Sequence, residues 1–493
     1  MNLADLKSLI FGVNNKKVSG IPASKLPKIR EFQAGKIDNL TSSWRADPQP
    51  INALLQRALR PMVARSRDAA QNNPYGRKFV NMVAGNVVGP NGLRLQSQLK
   101  FASGNLRKKA NKIIEDRWED FSKNVNTAQN LSWNRFCSLA SKTIAIDGEC
   151  VIRIVHGFPN TYGIAFQIID STRLDVDRNE SLPGGGKIVM GVELDVWERP
   201  VAYHITDPSR SNASYLHSLS GKTTRIPASE IIHVFLQEFP EQVRGIPWMA
   251  SALWEMNMIH SYEEAEVVAA RIGASKMGFF TTENGGMVPV DSSEGGELLL
   301  DAEPGQFRGL PPGVKLMSWD PNHPNSNYDQ FMKRALRGMS SGLLVAYNNI
   351  STDLEGVNFS SIRQGVLDER DMFRMMQADF ISQVCLRSVE SWFTMGVING
   401  SIPIGAEHIE EVVSHLKFQS RGWPWVDPLK DFKTNEGMVR ERFRSRRMIL
   451  AEQGIDFEEV LEQLKEEEAM LKQAGLLSDQ NILNQSSVGV ENE

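Results

Sequence analysis

The 493-residue chain, 41% hydrophobic and 23% charged, is long enough for about three ordinary domains and has the apolar side chains to give each a core. A formal net charge of −4 excludes a compact basic module built to grip nucleic acid tightly. No run approaches ~18 consecutive apolar residues, so no membrane-spanning helix is expected.

The start, Met1-Asn-Leu-Ala-Asp-Leu-Lys, lacks the long apolar stretch of an export signal, and neither secretion nor membrane insertion is expected from it. Cys137, Cys150 and Cys385 have neither metal nor redox spacing and are expected to be buried free thiols in a reducing cytoplasm. His408 and His415 fall seven apart on one expected helix, without a third ligand nearby, so no metal site and no cofactor are expected. Charge is uneven: residues 1–80 hold 14 Lys and Arg against 5 Asp and Glu, whereas residues 452–493 hold 2 against 11. Ends of opposite sign read equally as solvated surface or as partner contacts.

In chain order, residues 1–50 read as a mobile arm, polar and without sustained periodicity after a short amphipathic start. Helical pattern begins near Ile51, breaks at Asn73-Pro74 and resumes as a second helix that ends near Gly89. Residues 104–145 read as two more helices, with Trp118, Phe121, Trp133 and Phe136 as packing anchors rather than a base-stacking platform. From Cys150 the period changes to two. Short strands are expected at 150–155, 164–169, 189–196, 201–206 and 231–236. The turns Gly184-Gly-Gly and Gly221-Lys-Thr-Thr are not phosphate cradles, since a P-loop needs a glycine where Leu216 stands.

Gly245-Ile-Pro then opens a helix with Pro247 in its first turn, running to Gly273 and carrying Glu255, Glu263, Glu264 and Glu266. Residues 284–319 hold seven glycines and four prolines, with brief extended pieces such as Val314-Lys-Leu-Met-Ser. Such a segment folds poorly alone and is expected to gain order by pairing strands with a neighbouring copy. Residues 327–342 form an amphipathic helix. A polar loop follows, and then one long helix from Ser360 to Phe393, on which Ile362, Val366, Phe373, Met376, Phe380 and Val384 recur at steps of three, four and seven. After Gly422-Trp-Pro-Trp-Val-Asp-Pro, a helix rich in arginine (Arg440, Arg442, Arg444, Arg446 and Arg447) precedes an acidic helix at about Asp456 to Lys472.

Several of these stretches together resemble the lambda-type portal proteins of tailed bacteriophages. They are Arg65-Ser-Arg-Asp with Asn72-Asn-Pro-Tyr and Val87-Val-Gly, the Gly245-Ile-Pro entry with Glu264-Ala-Glu-Val-Val-Ala-Ala-Arg, Asn358-Phe-Ser-Ser-Ile-Arg, and the Gly422-Trp-Pro-Trp-Val-Asp-Pro turn. The resemblance covers nearly the whole chain. Where the family commonly has Val-Pro-Tyr-Glu, this chain has Val345-Ala346-Tyr347-Asn348, which removes one fixed backbone angle and one charge.

The resemblance implies an α+β portal fold. Its parts would be an arm (1–50), a helical wing part (51–147), a β-rich wing part (148–246), stem helices (247–342) with a clip (274–326), a tunnel loop (343–358), a long helix and wing return (359–421), a crown (422–477) and a disordered tail (478–493). It implies a ring, usually twelve-fold in particles, at one capsid vertex of the virion, assembled in the host cytoplasm. Duplex DNA would be packaged and ejected through this ring. The implied partners are further copies of the chain, the DNA, the terminase large subunit, the major capsid protein and the head-completion or tail connector proteins, with no membrane. Its channel-lining residues would be Tyr347, Asn348, Asn349, Ile350, Ser351, Thr352 and Asp353. A ring scaffold that never contacts DNA is an alternative.

A second alternative is enzymatic. Gly338-Met-Ser-Ser-Gly matches the Gly-x-Ser-x-Gly pattern of serine hydrolases, but Ser340 follows an amphipathic helix and precedes a loop, where a nucleophile elbow needs a strand and then a helix. No catalytic residue is expected.

Overall fold

Asn73 is the pivot of an N-terminal helical hairpin in the computed structural model, which describes residues 47–101, 107–206, 223–274, 278–282, 314–318, 327–355, 359–423 and 427–476. The chain divides into two units, Met1–Pro50 and Ile51–Glu493, and the architecture belongs to the second. Helix α1 (Ile51–Asn72) buries Leu55, Leu59, Val63, Ser66 and Ala69 at steps of three and four, as an amphipathic face requires. The side chain of Asn73 then accepts from the amides of Tyr75 and Gly76, and Pro74 opens α2 (Pro74–Val87), where a missing N–H is harmless. The two helices cross tightly at Gly76, where a Cβ would lie 2.5 Å from the carbonyl oxygen of Ala69.

Helices α3 (Lys108–Ser122) and α4 (Trp133–Asp147) supply the expected aromatic anchors: Trp118, Phe121, Trp133 and Phe136 are all buried. Trp118 is their centre, with ring centroids 5.1 Å from Trp133, 5.0 Å from Trp392 and 5.9 Å from Phe418, each edge to face. Cys137, Cys150 and Cys385 are buried free thiols, as expected.

Two antiparallel sheets follow. β2 (Glu149–His156) lies between β3 (Ile164–Ile169) and β9 (Ile231–Phe235), and the second sheet runs β4 (Glu180–Ser181), β5 (Lys187–Val189), β6 (Val192–Leu194), β7 (Pro200–Thr206), β8 (Thr223–Pro227). The single strand expected at 189–196 is a hairpin. Met190 (φ 48°) and Gly191 (φ 84°) are both left-handed, the signature of a tight turn that suits strand twist. A third, two-stranded sheet joins β1 (Arg94–Ser97) to β12 (Leu416–Gln419) across most of the chain.

A buried ion pair ties the sheets to the segment that enters the next helix. Nε of Arg244 donates to both carboxylate oxygens of Glu149 at 2.9 Å, while its Nη1 donates to the Met190 carbonyl at 2.9 Å. His233 Nε2 lies 3.0 Å from Glu149, and the Gly245 amide donates to it at 2.9 Å. The chains here nearly touch: a Cβ on Gly245 would sit 2.2 Å from the carbonyl oxygen of Gly148, which itself has φ +86°. This close approach is the physical reason for glycine in the Gly245-Ile-Pro motif.

The helix expected from Pro247 starts later. Residues 247–252 form turns, with Ala250 and Ala252 donating to carbonyls three residues back, and α5 spans Leu253–Ala274. Strand β10 (Gly278–Thr282) pairs in antiparallel register with β11 (Val314–Ser318) of the same chain, so the extended piece at 314–318 has a partner within the subunit. The rest of the Gly/Pro-rich segment, most of the N-terminal arm and the C-terminal tail lie outside the described residues.

Helix α6 (Tyr328–Gly342), a short helix α7 (Tyr347–Ser351), and α8 (Phe359–Phe380) come next. α8 continues without a break through a π-helical turn (Ile381–Leu386) into α9 (Arg387–Ile398), five residues beyond the expected end. The π turn re-phases the apolar stripe, so that Val384, Cys385, Val389, Trp392 and Phe393 all face the core. His408 and His415 flank α10 (Ile409–Ser414) instead of sharing one helix. The arginine-rich stretch is also divided: α11 (Pro428–Arg440) ends in a turn with Arg442 at φ 63°, and α12 (Arg446–Glu452) starts on the capping hydroxyl of Ser445. The acidic α13 (Phe457–Gln473) is capped by Asp456.

Candidate functional site

Residues 343–355 leave the end of α6 and return toward α8. The expected polar loop is partly helical, because α7 occupies Tyr347–Ser351. Ala346, at its N-cap, has no side-chain oxygen to satisfy the free amides of a first turn. The buried carboxylate of Glu369 on α8 reaches in instead. Its Oε2 accepts from the Ala346 amide and from Asn349 Nδ2, both at 2.8 Å. Ile350 is 1% exposed and packs into the main core.

A second set of contacts faces α6. The Tyr347 hydroxyl donates to Asp353 Oδ2 at 2.8 Å, and the guanidinium of Arg337 lies 5.3 Å from the centre of the Tyr347 ring. Lys333 Nζ stands 2.9 Å from Asp329, 3.4 Å from Glu355 and 3.9 Å from Asp353. The Glu355 amide and the Tyr347 hydroxyl hold the Asp353 carboxyl below its usual range, while burial and Asp353 push the Tyr347 phenol up. Asp329, and then Glu355 and Asp353, raise the Lys333 ammonium. The Ser351 hydroxyl donates to the Tyr347 carbonyl at 2.8 Å.

Two residues bracket the segment in left-handed backbone, Leu344 at φ 57° and Thr352 at φ 60°. Neither is glycine, and each such conformation costs about 1–2 kcal/mol, persisting only where its surroundings over-determine it. Of the seven residues expected in the channel, the structure exposes Thr352, half-buries Tyr347, Asn348, Asn349, Ser351 and Asp353, and buries Ile350. Leu344, Leu354 and Glu355 stand out more fully. Sequence reading missed Glu369: a carboxylate twenty positions from Asn349 carries no local signal, and only the packing of α8 against this segment brings the two together.

The α5–α6 pair frames the segment. Tyr262 stacks on Tyr328 at 5.7 Å and meets Phe331 edge-on at 5.1 Å, and the Ser251 hydroxyl donates to the Gly342 carbonyl at 2.6 Å. Glu255 and Glu264 are exposed on α5, while Glu263 accepts from the Tyr75 hydroxyl at 2.9 Å. Ser340 is buried near the end of α6, and its hydroxyl donates to the Leu336 carbonyl at 2.7 Å. It lies within a helix, not on the strand-to-helix elbow that a serine nucleophile needs.

Comparison with known proteins identifies the family of the chain. The family described as "Phage portal protein, lambda family" matches residues 38–377. A probable portal protein of Halomonas phage phiHAP-1 is 30% identical over 465 residues, which is 92% of this chain and 89% of that protein. Among solved structures, a chain in the neck of an empty GTA particle computed with C6 symmetry has 13% identity and a TM-score of 0.42, covering 84% of this chain and 97% of that one. One in the neck of a native GTA particle computed with C12 symmetry has 12% identity and a TM-score of 0.42, covering 80% and 94%. With the family match spanning more than half of the sequence and a relative aligned over nearly all of it, the chain belongs to the lambda family of phage portal proteins.

Proposed function

We propose that the subunit assembles with further copies of itself into a ring at one capsid vertex of the virion, and that duplex DNA is packaged and ejected through its centre. The observation that carries this reading is the outer face of α5. On it Trp254, Met258 and Val268 are 73%, 53% and 46% exposed, and Phe331 of α6, which meets Tyr262 of α5, is 56% exposed. An apolar face of this kind calls for a cover. A contact between two different surfaces of identical subunits closes into a ring when its rotation permits.

In this reading α5 and α6 form the stem, and the segment containing β10 and β11 forms the clip. The terminase large subunit docks there during packaging and head-completion or tail connector proteins dock afterwards. The capsid shell surrounds the ring. Residues 347–353 line the channel, each repeated once per subunit. Neutral amide and hydroxyl contacts to phosphate, about 0.5–1.5 kcal/mol each, break readily as a duplex slides, whereas a strongly basic lining would hold it. The subunit's role is that of a conduit and not of a catalyst.

Negative-stain microscopy of the purified protein tests the ring. Rings with a central opening wide enough for duplex DNA are expected. A protein that stays monomeric at micromolar concentration across several salt conditions would overturn the reading.

A further inference from the structure

We infer that Glu369 is the positioning residue of the channel segment: its buried carboxylate sets where residues 345–351 stand, and the segment loosens between Leu344 and Thr352 when that hold is lost. The inference rests on the proposed channel role of residues 347–353.

A helix of five residues such as α7 does not hold itself, since one turn fixes several backbone angles for very few hydrogen bonds. Its position must come from outside. Burial of Ile350 supplies attraction but no orientation, because apolar packing is non-directional. Orientation comes from polar contacts, and these are of two kinds. The α6 side contributes Arg337 against the Tyr347 ring and the Lys333 pairs, which reach Glu355 at an exposed position and are screened by salt. The α8 side contributes Glu369, 8% exposed, where one oxygen receives both the Ala346 amide and the Asn349 side chain. With a buried acceptor carboxylate and half-buried donors, that pair of bonds is screened less. It also grips α7 at its first turn, between the two left-handed residues that mark the segment's ends.

Hydrogen exchange read by mass spectrometry on the assembled protein tests this directly. Glu369→Ala is expected to speed exchange of the 346–351 amides about ten-fold while leaving 328–342 and 387–398 as in wild type. Glu369→Gln, which keeps an acceptor oxygen at the same place, is expected to restore much of the protection. Unchanged protection of 346–351 in Glu369→Ala overturns the inference, as does an equal rise across all three stretches, which would signal general loosening. Should Glu369→Ala not fold, Asn349→Ala removes one of the two bonds at a half-buried site, and the same local rise is expected from it. The same absence of a rise overturns the inference. Packaged DNA per particle separates this inference from the channel role: faster exchange with reduced packaging, both partly rescued by Gln, supports the two together. Faster exchange with normal packaging supports Glu369 as the holding residue and overturns the channel role.

Discussion

Around Trp118 the aromatic neighbours Phe121, Trp133, Trp392 and Phe418 are all buried, whereas along α5 and α6 Trp254, Met258 and Phe331 are more than half exposed. Both regions are rich in large apolar side chains. They differ in where the other half of the contact comes from. The Trp118 region closes on itself through α3, α4, α9 and β12, so its stability belongs to the single chain. On α5 the last buried side chain among the described residues is Ile259, and α11, α12 and α13 bury none at all. Such helices are stabilised by what covers them, since most helical stability in proteins comes from packing of the apolar face. One region is therefore sensitive to internal substitution and the other to loss of partners.

The largest effect is expected at the buried pair beneath the sheets. Arg244→Ala leaves the Glu149 carboxylate, 1% exposed, without its guanidinium, and breaking a buried pair from one side destabilises by about 3–5 kcal/mol. Urea unfolding of the subunit should show this as a lower midpoint with an unchanged slope. A loss below about 1 kcal/mol would mean that the pair is dispensable to the core.

Acid should act on the same place. Burial pushes the Glu149 carboxyl up, but Arg244 and His233 together more than offset it and bring it down to about 2, against an ordinary value of 4.5. A carboxyl depressed in the folded state contributes stability that is fully present above 4.5 and is lost as pH falls toward 2. The contribution is on the order of 3 kcal/mol. The stability gap between wild type and Glu149→Gln should close over that pH window. A gap that stays constant from pH 6 to pH 2 would refute the assignment.

How far the sequence could be read follows the same division. The hairpin α1–α2 and the helices α3 and α4 were legible because their buried residues recur at three and four and their breaks carry Asn-Pro or a left-handed glycine. The β1–β12 pair was not, since two four-residue strands more than 300 positions apart carry no local mark of one another. The hairpin at Met190-Gly191 was hidden inside a continuous apolar run. At the candidate site, the polar character of residues 347–353 was legible, but the helix α7 was not, because Asn, Asn and Ser favour turns and the helix depends on Glu369. Arg244 and Glu149 escaped notice for the opposite reason: charged residues are read as surface until a partner is seen.

On the exposed side of the contrast, Trp254→Ser combined with Met258→Ser should change subunit unfolding by only about 0.5 kcal/mol, as for other exposed positions. Ring formation should nevertheless fall sharply, read by light scattering and microscopy. Unfolding that drops by several kcal/mol would place these side chains in the subunit's own core, and rings that form as in wild type would remove this face from the assembly.

The smallest effect on the subunit is expected from Asn348→Lys, and it bears most directly on the channel. Lysine at both Asn348 and Asn349 would confuse two causes, because Asn349 Nδ2 is bound to Glu369 and its replacement would loosen the segment as well as charge it. Asn348 is half-buried, and within α7 its carbonyl accepts from the Thr352 amide at 3.0 Å, a backbone bond that lysine preserves. The substitution therefore adds one positive charge per subunit while Glu369 keeps its grip. A neutral contact of about 0.5–1.5 kcal/mol is replaced by a charge-assisted one of about 1.5–3 kcal/mol, a difference of roughly 1 kcal/mol or about five-fold in release. Packaging should slow at low salt and recover as salt screens the phosphates. Subunit stability and ring formation should stay as in wild type. Normal packaging by Asn348→Lys at every salt concentration would remove Asn348 from the path of the DNA, and failure of the ring to assemble would make the segment a structural part of the subunit contact instead.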